Sequence, residues 1–346
     1  MTSDARKALE RALEMDRSGK NEQALSAYLD ALEQSPEDLD IAYRTATALL
    51  RAGFLDEAIS QLRRIVFIDP QCHAARANLG NCHLLQNDLD AAATCFHEVL
   101  AASPGNKNAL YGLASVHLQR GDHKNAVAPA RKLVELLPDN APALTLYAQS
   151  TANDPQVAAS IAAFRKALQL DNTYVPALIG LAEVLTRRRR HDEALELAEQ
   201  AVQIRPEDPA ALIVRGEAFQ ACGRLQEARG DFLTVLDLDP ANIGMKVRIS
   251  AISRKLGDLG IALAFAHDAY EKDPGHKGAG NALGSALAAL SRPKDAQSVL
   301  TSVARAAPLP ANLKEQIKTL IENMSAEVEA ELARHDADTP GTAQPA

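Results

Sequence analysis

The sequence predicts an all-α solenoid of about nine helix–turn–helix repeats followed by one further helix. Three observations carry that expectation. Proline stands at residues 36, 70, 104, 138, 206, 240, 274 and 308, always 34 residues or a multiple apart, with Asn172 at the vacant place. Small residues keep the same register: Ala24, Ala58, Ala92, Ala126, Ser160, Ala194, Ala228, Ala262 and Ala296 precede each proline position by 12 residues. A second small series runs Ala12, Ala46, Gly80, Ala114, Ala148, Ala182, Gly216, Ser250 and Gly284. A fixed period of this length marks a stack of identical units, each packed on its neighbours.

Each element of the unit has its own reason. Apolar residues at helical spacing, such as Leu178, Leu181 and Leu185, give the first helix a buried face. Gly19, Gly53, Gly121, Gly223 and Gly257 share the turn position that follows it. The small residues let the two helices approach closely. Proline ends the second helix, because it cannot continue one and restrains the residue before it.

These residues resemble the tetratricopeptide repeat (TPR) family over about residues 5–310. The resemblance implies a right-handed superhelical solenoid with the first helices on its inner face. One departure is the absence of Trp. Its usual position holds Ala8, Ala42, Arg76, Leu110, Leu144, Leu178, Leu212, Lys246 and Gly280, which puts local packing in question in repeats 3, 8 and 9.

Composition narrows the function classes. A net charge of −8 gives no support for non-specific attraction to nucleic acid. Residues 1–20 have no apolar core of a signal peptide, and no stretch approaches the roughly 20 apolar residues of a membrane span. Four cysteines in 346 residues do not read as a disulfide framework, and the chain reads as cytoplasmic. Residues 1–4 are expected to fray. Residues 311–335 read as one amphipathic capping helix, and 336–346 as a disordered tail. Glycines in repeats 8 and 9 mark that end as the loosest.

Chemistry is sparse. Cys72, His73, Cys82, His83, Cys95 and His97 cluster in repeat 3, but their spacing suits core packing better than a metal site, and no metal or cofactor is expected. Arg187, Arg188, Arg189, Arg190 and His191 fall on the turn of repeat 6 as a solvated turn or a second contact point for an anionic segment. No nucleophile elbow, phosphate loop, HExxH or dinucleotide fingerprint is present, so the chain reads as non-enzymatic.

The family register then selects inner-face residues. In repeats 2 to 4 these are Tyr43, Arg44, Thr47, Asn78, Asn81, Asn108, Tyr111 and Ser115, a polar and aromatic set suited to holding a peptide backbone. In repeats 6 to 8 they are Ile179, Glu183, Ile213, Glu217, Val247 and Arg248. A carboxylate clamp for chaperone tails is not expected. Tyr43, Thr47, Asn108 and Gly112 stand where it needs Lys, Asn, Lys and Arg, and Asn78 alone matches. The reading is an interaction scaffold or adaptor with a protein partner. The alternatives are the substrate-recruiting subunit of a separate transferase-type enzyme and a self-assembling scaffold, that is, a homo-oligomer.

Overall fold

The computed structural model describes residues 3–153, 157–305 and 308–338, with side chains as far as Met324 in the last helix. It contains nineteen α-helices and no strand among the described residues. They begin with the pairs α1 (Ser3–Arg17) and α2 (Asn21–Gln34), α3 (Leu39–Arg51) and α4 (Leu55–Ile68), and α5 (His73–Leu85) and α6 (Leu89–Ala102). Next come α7 (Lys107–Gln119) and α8 (His123–Leu136), α9 (Ala141–Ser150) and α10 (Ala158–Leu170), and α11 (Val175–Arg187) and α12 (His191–Ile204). The last pairs are α13 (Pro209–Ala221) and α14 (Leu225–Leu238), α15 (Ile243–Leu256) and α16 (Leu259–Lys272), and α17 (Lys277–Ala289) and α18 (Pro293–Ala304). A single helix, α19 (Ala311–Asp338), follows. Ser3 and Asp4 are therefore already helical, and the last helix runs past 335 to Asp338. Residues 1–2 and 339–346 of the proposed end segments lie outside the described residues. The chain divides into two compact units, residues 1–180 and 181–346.

Eight of the nine helix pairs are closed by the same backbone device; the equivalent point of the α9–α10 pair lies outside the described residues. The residue after the first helix takes a left-handed conformation at Gly19, Gly53, Gly121, Gly223 and Gly257, and also at Asn87, Arg189 and Ser291. These eight positions are one register point. The next N–H then reaches back five residues, as from Lys20 to Met15 and from Arg190 to Leu185 (both 3.0 Å), which satisfies an orphan carbonyl of the first helix. Glycine adopts this conformation without cost and arginine does not. Arg189→Gly should therefore raise stability by about 0.5–1 kcal/mol after allowing for the freer unfolded chain. An unchanged or lower thermal midpoint would contradict this.

First helices start on side-chain caps. Asp38, Asn106, Asn140, Asp208 and Asn242 accept N–H bonds from the first turn, and at the same point His276 accepts one through Nδ1 at 3.1 Å. Basic side chains reach back to the preceding proline: Lys166 Nζ donates to the Pro138 carbonyl at 2.7 Å, and Lys272 Nζ to that of Pro240 at 2.8 Å.

Packing follows a large-against-small rule. Phe96, Phe164 and Phe232 are fully buried on second helices, alternating with the equally buried Ala130, Ala198 and Ala266. Each phenyl ring lies on glycine. A Cβ at Gly80 would meet the Phe96 ring at 2.7 Å, and one at Gly112 would meet it closer still. Gly180 stands against Phe164 and Gly216 against Phe232 in the same way. Where the second helix offers Ala130 or Ala198, the next first helix fills the space with buried Leu146 or Val214. At these contacts a large side chain meets a small one, as close packing favours.

The tryptophan-less repeats are packed by other means. Arg76 pairs with Glu98 at 2.9 Å, and buried Lys246 pairs with Asp268 at the equivalent point of repeat 8. Burial is the largest single influence on Lys246 and opposes its charge, but the hydrogen bond to Asp268, the neighbouring Lys272 and the charges of Asp268 and Asp239 together outweigh it, and its pKa is raised. The space beside Gly280 is filled by Val303.

Candidate functional site

First helices of neighbouring repeats touch one another: α3 with α5, α5 with α7 and α7 with α9 in the first unit, and α15 with α17 in the second. Second helices of neighbouring repeats stand farther apart among the described residues. In these repeats the first helices lie on the more crowded side, and the residues selected in repeats 2 to 4 lie on them.

In the first unit the set divides. Tyr43, Arg44, Thr47 and Asn81 are half-buried, Asn108 is exposed, and Tyr111 keeps 41% of its surface. Asn78 departs from the expected open face. It is 9% exposed and donates from Nδ2 to the Tyr43 hydroxyl at 3.2 Å. An amide so placed must find a partner inside the protein, and Tyr43 supplies it. Arg44 is committed as well, bonding Asp40 one turn back at 2.9 Å. The hydroxyls of Thr47 and Ser115 donate to the carbonyls of Tyr43 and Tyr111 in their own helices. Asn81, Asn108 and Tyr111 remain as the accessible polar and aromatic groups. Protein around the Tyr111 ring raises its phenol pKa, so it stays a neutral donor.

In the second unit Glu217 accepts from Arg248 Nη1 at 2.5 Å, and Arg248 also lies over the Phe232 ring, 5.6 Å from its centre. Surrounding protein raises the Glu183 carboxyl, with Arg187 opposing and Glu217 adding to the rise. Ile213 and Val247 are half-buried beside these groups, and Ile179 is half-buried on α11. The arginine turn is exposed, but Arg190 Nε is held by Glu193 at 2.6 Å and Arg189 carries the strained backbone.

The Cys–His cluster is spread over different environments: Cys82 and His83 are buried, Cys72, His73 and Cys95 half-buried, and His97 exposed. Cys82 is fully buried, and burial lifts its thiol to about 11; Cys95 is raised for the same reason. His83 and His117 occupy one register point on α5 and α7. Each Nδ1 faces the aspartate that caps the following helix, at 3.9 Å from Asp88 and 3.5 Å from Asp122. Burial lowers both pKa values, and the aspartates only partly oppose it. The unfolded chain therefore takes up protons first as pH falls. Stability contributed by the neutral rings is complete above the usual value of about 6.5 and is lost as pH drops through it. Leu49, Leu185 and Leu287 stand at the same point, so His83→Leu/His117→Leu should shrink the fall in melting temperature between pH 7.5 and 5.5. An undiminished fall would assign the pH dependence elsewhere.

The second unit also holds a buried ion pair that periodicity does not signal. Arg215 stands where Leu79, Leu113, Leu181, Ile249 and Leu283 form the core, and Asp231 faces it from α14. The pair is bidentate, Nε to Oδ2 at 2.9 Å and Nη2 to Oδ1 at 2.5 Å, with the aspartate side chain only 8% exposed. What marks it in the sequence is a charged residue at an apolar register point.

A family model described as tetratricopeptide repeat matches residues 9–71, 43–94, 78–141, 151–209 and 179–243. The chain belongs to the tetratricopeptide repeat family. Its last two TPR helix pairs, α15 to α18, lie almost wholly beyond the matched region yet keep the same turn geometry at Gly257 and Ser291. The chain is similar to the DnaJ homolog subfamily C member 7 homolog of Schizosaccharomyces pombe, 26% identical over 223 residues that cover 60% of this chain and 47% of that protein. It is also similar to anaphase-promoting complex subunit 3 of the same organism, 24% identical over 183 residues, 53% of this chain and 28% of that one. The TPR chain thus spans less than half the length of these relatives. Among solved structures, one from the APC/C hetero-tetramer Cut9–Hcn1 matches with a TM-score of 0.66 at 16% identity, over 81% of this chain and 55% of that one. A tetratricopeptide repeat protein from Parabacteroides merdae matches with 0.57 at 18% identity, over 72% and 98%. These likenesses show the fold. No helix among the described residues is long and apolar enough to cross a membrane.

Proposed function

We propose that this TPR chain is a protein-interaction scaffold that holds a segment of a partner protein along the inner face of its first unit. The observation that carries the reading is the accessible row Asn81, Asn108 and Tyr111 on adjacent first helices, backed by the fixed Tyr43–Asn78 pair. Asparagine offers both a donor and an acceptor to a peptide backbone, and tyrosine gives contact area at low entropic cost. A preformed surface of this kind spends little free energy on reorganisation. Similarity to a DnaJ homolog and to an anaphase-promoting complex subunit supports an adaptor role, in the cytoplasm. The chain contributes binding rather than chemistry in this reading.

Asn81→Ala/Tyr111→Ala tests it better than any change at Tyr43, which would strand the buried Asn78 amide. The expected result is an unchanged melting temperature with loss of the partners that the unmodified chain retains, quantified by pull-down and mass spectrometry. Tyrosine hot spots cost about 2 kcal/mol or more on truncation, so the loss should be roughly thirtyfold. Full retention of every partner would move the site off this face.

A further inference from the structure

One register point on the second helices carries charge that the fold does not use. Arg63, His97, Arg131 and Arg165 follow one another at intervals of 34 residues on α4, α6, α8 and α10, and all four are exposed. Lys124, two turns before Arg131 on the same face of α8, is exposed as well. In the other repeats the point holds Leu29, Glu199, Leu233, His267 and Thr301, so the basic row is confined to repeats 2 to 5. The adjacent point makes the contrast. Arg64 and Lys166 stand next to Arg63 and Arg165 and are committed to structure, Arg64 to the Pro36 carbonyl and Glu37, and Lys166 to the Pro138 carbonyl and Asp139. Among the described residues no hydrogen bond or ion pair holds Arg63, Lys124 or Arg131. The carboxylates nearby are already taken: Asp90 by Arg120, Glu98 by Arg76 and Glu135 by Lys132. The charge of Arg63 therefore reaches the groups behind it. Burial is what chiefly lowers the pKa of His83, Asp88 opposes it, and Arg63 lowers it further.

In a chain of net charge −8, a row of uncompensated cations is a local reversal of sign. We propose that the exposed side of α4, α6, α8 and α10 binds an acidic segment of a partner protein, whose carboxylates pair with Arg63, Lys124 and Arg131. Guanidinium groups take carboxylates through two parallel hydrogen bonds. A single exposed pair contributes little, so the row acts as a set. A polynucleotide fits less well. Duplex DNA carries a charge about every 1.7 Å along its axis and would lie over Asp90, Glu98 and Glu135, whereas a polypeptide can space its acids to meet the cations. The row lies on second helices, while Asn81, Asn108 and Tyr111 lie on first helices, so failure of either surface leaves the other intact.

A fluorescein-labelled decaglutamate peptide is the probe, with decaglutamine as its neutral counterpart. Fluorescence anisotropy at low ionic strength should show saturable binding of decaglutamate to the full chain, weakening as salt is added, and no binding of decaglutamine. Arg63→Glu/Arg131→Glu should weaken it at least about tenfold. Arg63→Gln/Arg131→Gln, which removes the charges without reversing them, should give a smaller loss in the same direction. Both side chains are exposed and unpaired, so both variants should melt with the unmodified protein. Asn81→Ala/Tyr111→Ala should bind decaglutamate as the unmodified chain does. No binding, or equal binding by Arg63→Glu/Arg131→Glu, overturns the proposal. Binding lost instead in Arg188→Ser/Arg190→Ser would also overturn it, by moving the site to the arginine turn. Tighter binding of a short single-stranded DNA than of decaglutamate at the same residues would make the row a nucleic-acid surface, and a dimer that the charge reversal dissolves would make a second copy the occupant; either result overturns the assignment to a partner protein.

Discussion

Phe96→Ala is expected to destabilise repeats 3 and 4 by about 3–5 kcal/mol. The ring is fully buried, and the surfaces on both sides of it are glycine, Gly80 and Gly112. Neither can extend a side chain into the void, so the site has little means of collapse, and the cost should fall at the upper end of that range. The array also supplies the remedy. Beyond Ala130 and Ala198 the next first helix carries Leu146 and Val214 in place of glycine. Phe96→Ala/Gly112→Leu should therefore recover a substantial part of the loss, while Gly112→Leu alone overpacks the same contact and costs about 1–3 kcal/mol or more. The two sites touch, so strong non-additivity is the diagnostic. Because a repeat array need not unfold in one step, amide hydrogen exchange across α5 to α7 is the appropriate measurement, beside the urea midpoint. A cost below about 1.5 kcal/mol for Phe96→Ala, or no recovery in the double variant, would show that the ring is not the keystone of this contact.

Much of the fold was legible because the features that define it repeat. Proline, the small residues and the turn glycines act through backbone geometry and helix approach, which depend on position within the unit and little on context. The same register shows why Asn87, Arg189 and Ser291 adopt the backbone of the turn glycines although none is glycine. Polar side chains were less legible. The register puts Asn78 on a first helix, but whether its amide meets a ligand or a neighbour depends on Tyr43 one repeat away, at 3.2 Å. Arg44, Thr47 and Ser115 are likewise spent on bonds within their own helices. The amphipathic stripe of the last helix predicts that it packs, but not which helix receives it. It lies along α16, with Lys314 paired to Glu271 at 3.2 Å, a choice that could not be read from periodicity, since the stripe fits α16 and an end face equally well.

Asp231→Ala should cost about 3 kcal/mol, the second-largest loss expected here. Its carboxylate is 8% exposed and takes both donors of Arg215, whose side chain is 26% exposed. Removing the aspartate leaves a partly buried guanidinium at a point where other repeats place leucine or isoleucine, and breaking a buried pair typically costs about 3–5 kcal/mol. The lower end applies because Arg215 keeps some contact with water, which screens its charge. The cation also lies over Phe219, 5.7 Å from the ring centre, so it retains one favourable neighbour. Restoring the apolar register removes the problem instead of exposing it: Arg215→Leu/Asp231→Ala should be near neutral or more stable than the parent. Arg215→Leu alone should be costly, since it strands the more buried partner. Urea midpoints of the four proteins close the cycle. If both single variants and the double variant lose the same amount, the pair contributes packing only and its charges are not coupled. If the double variant is fully stable yet partner capture falls, the ion pair is retained for what the second unit binds rather than for its fold.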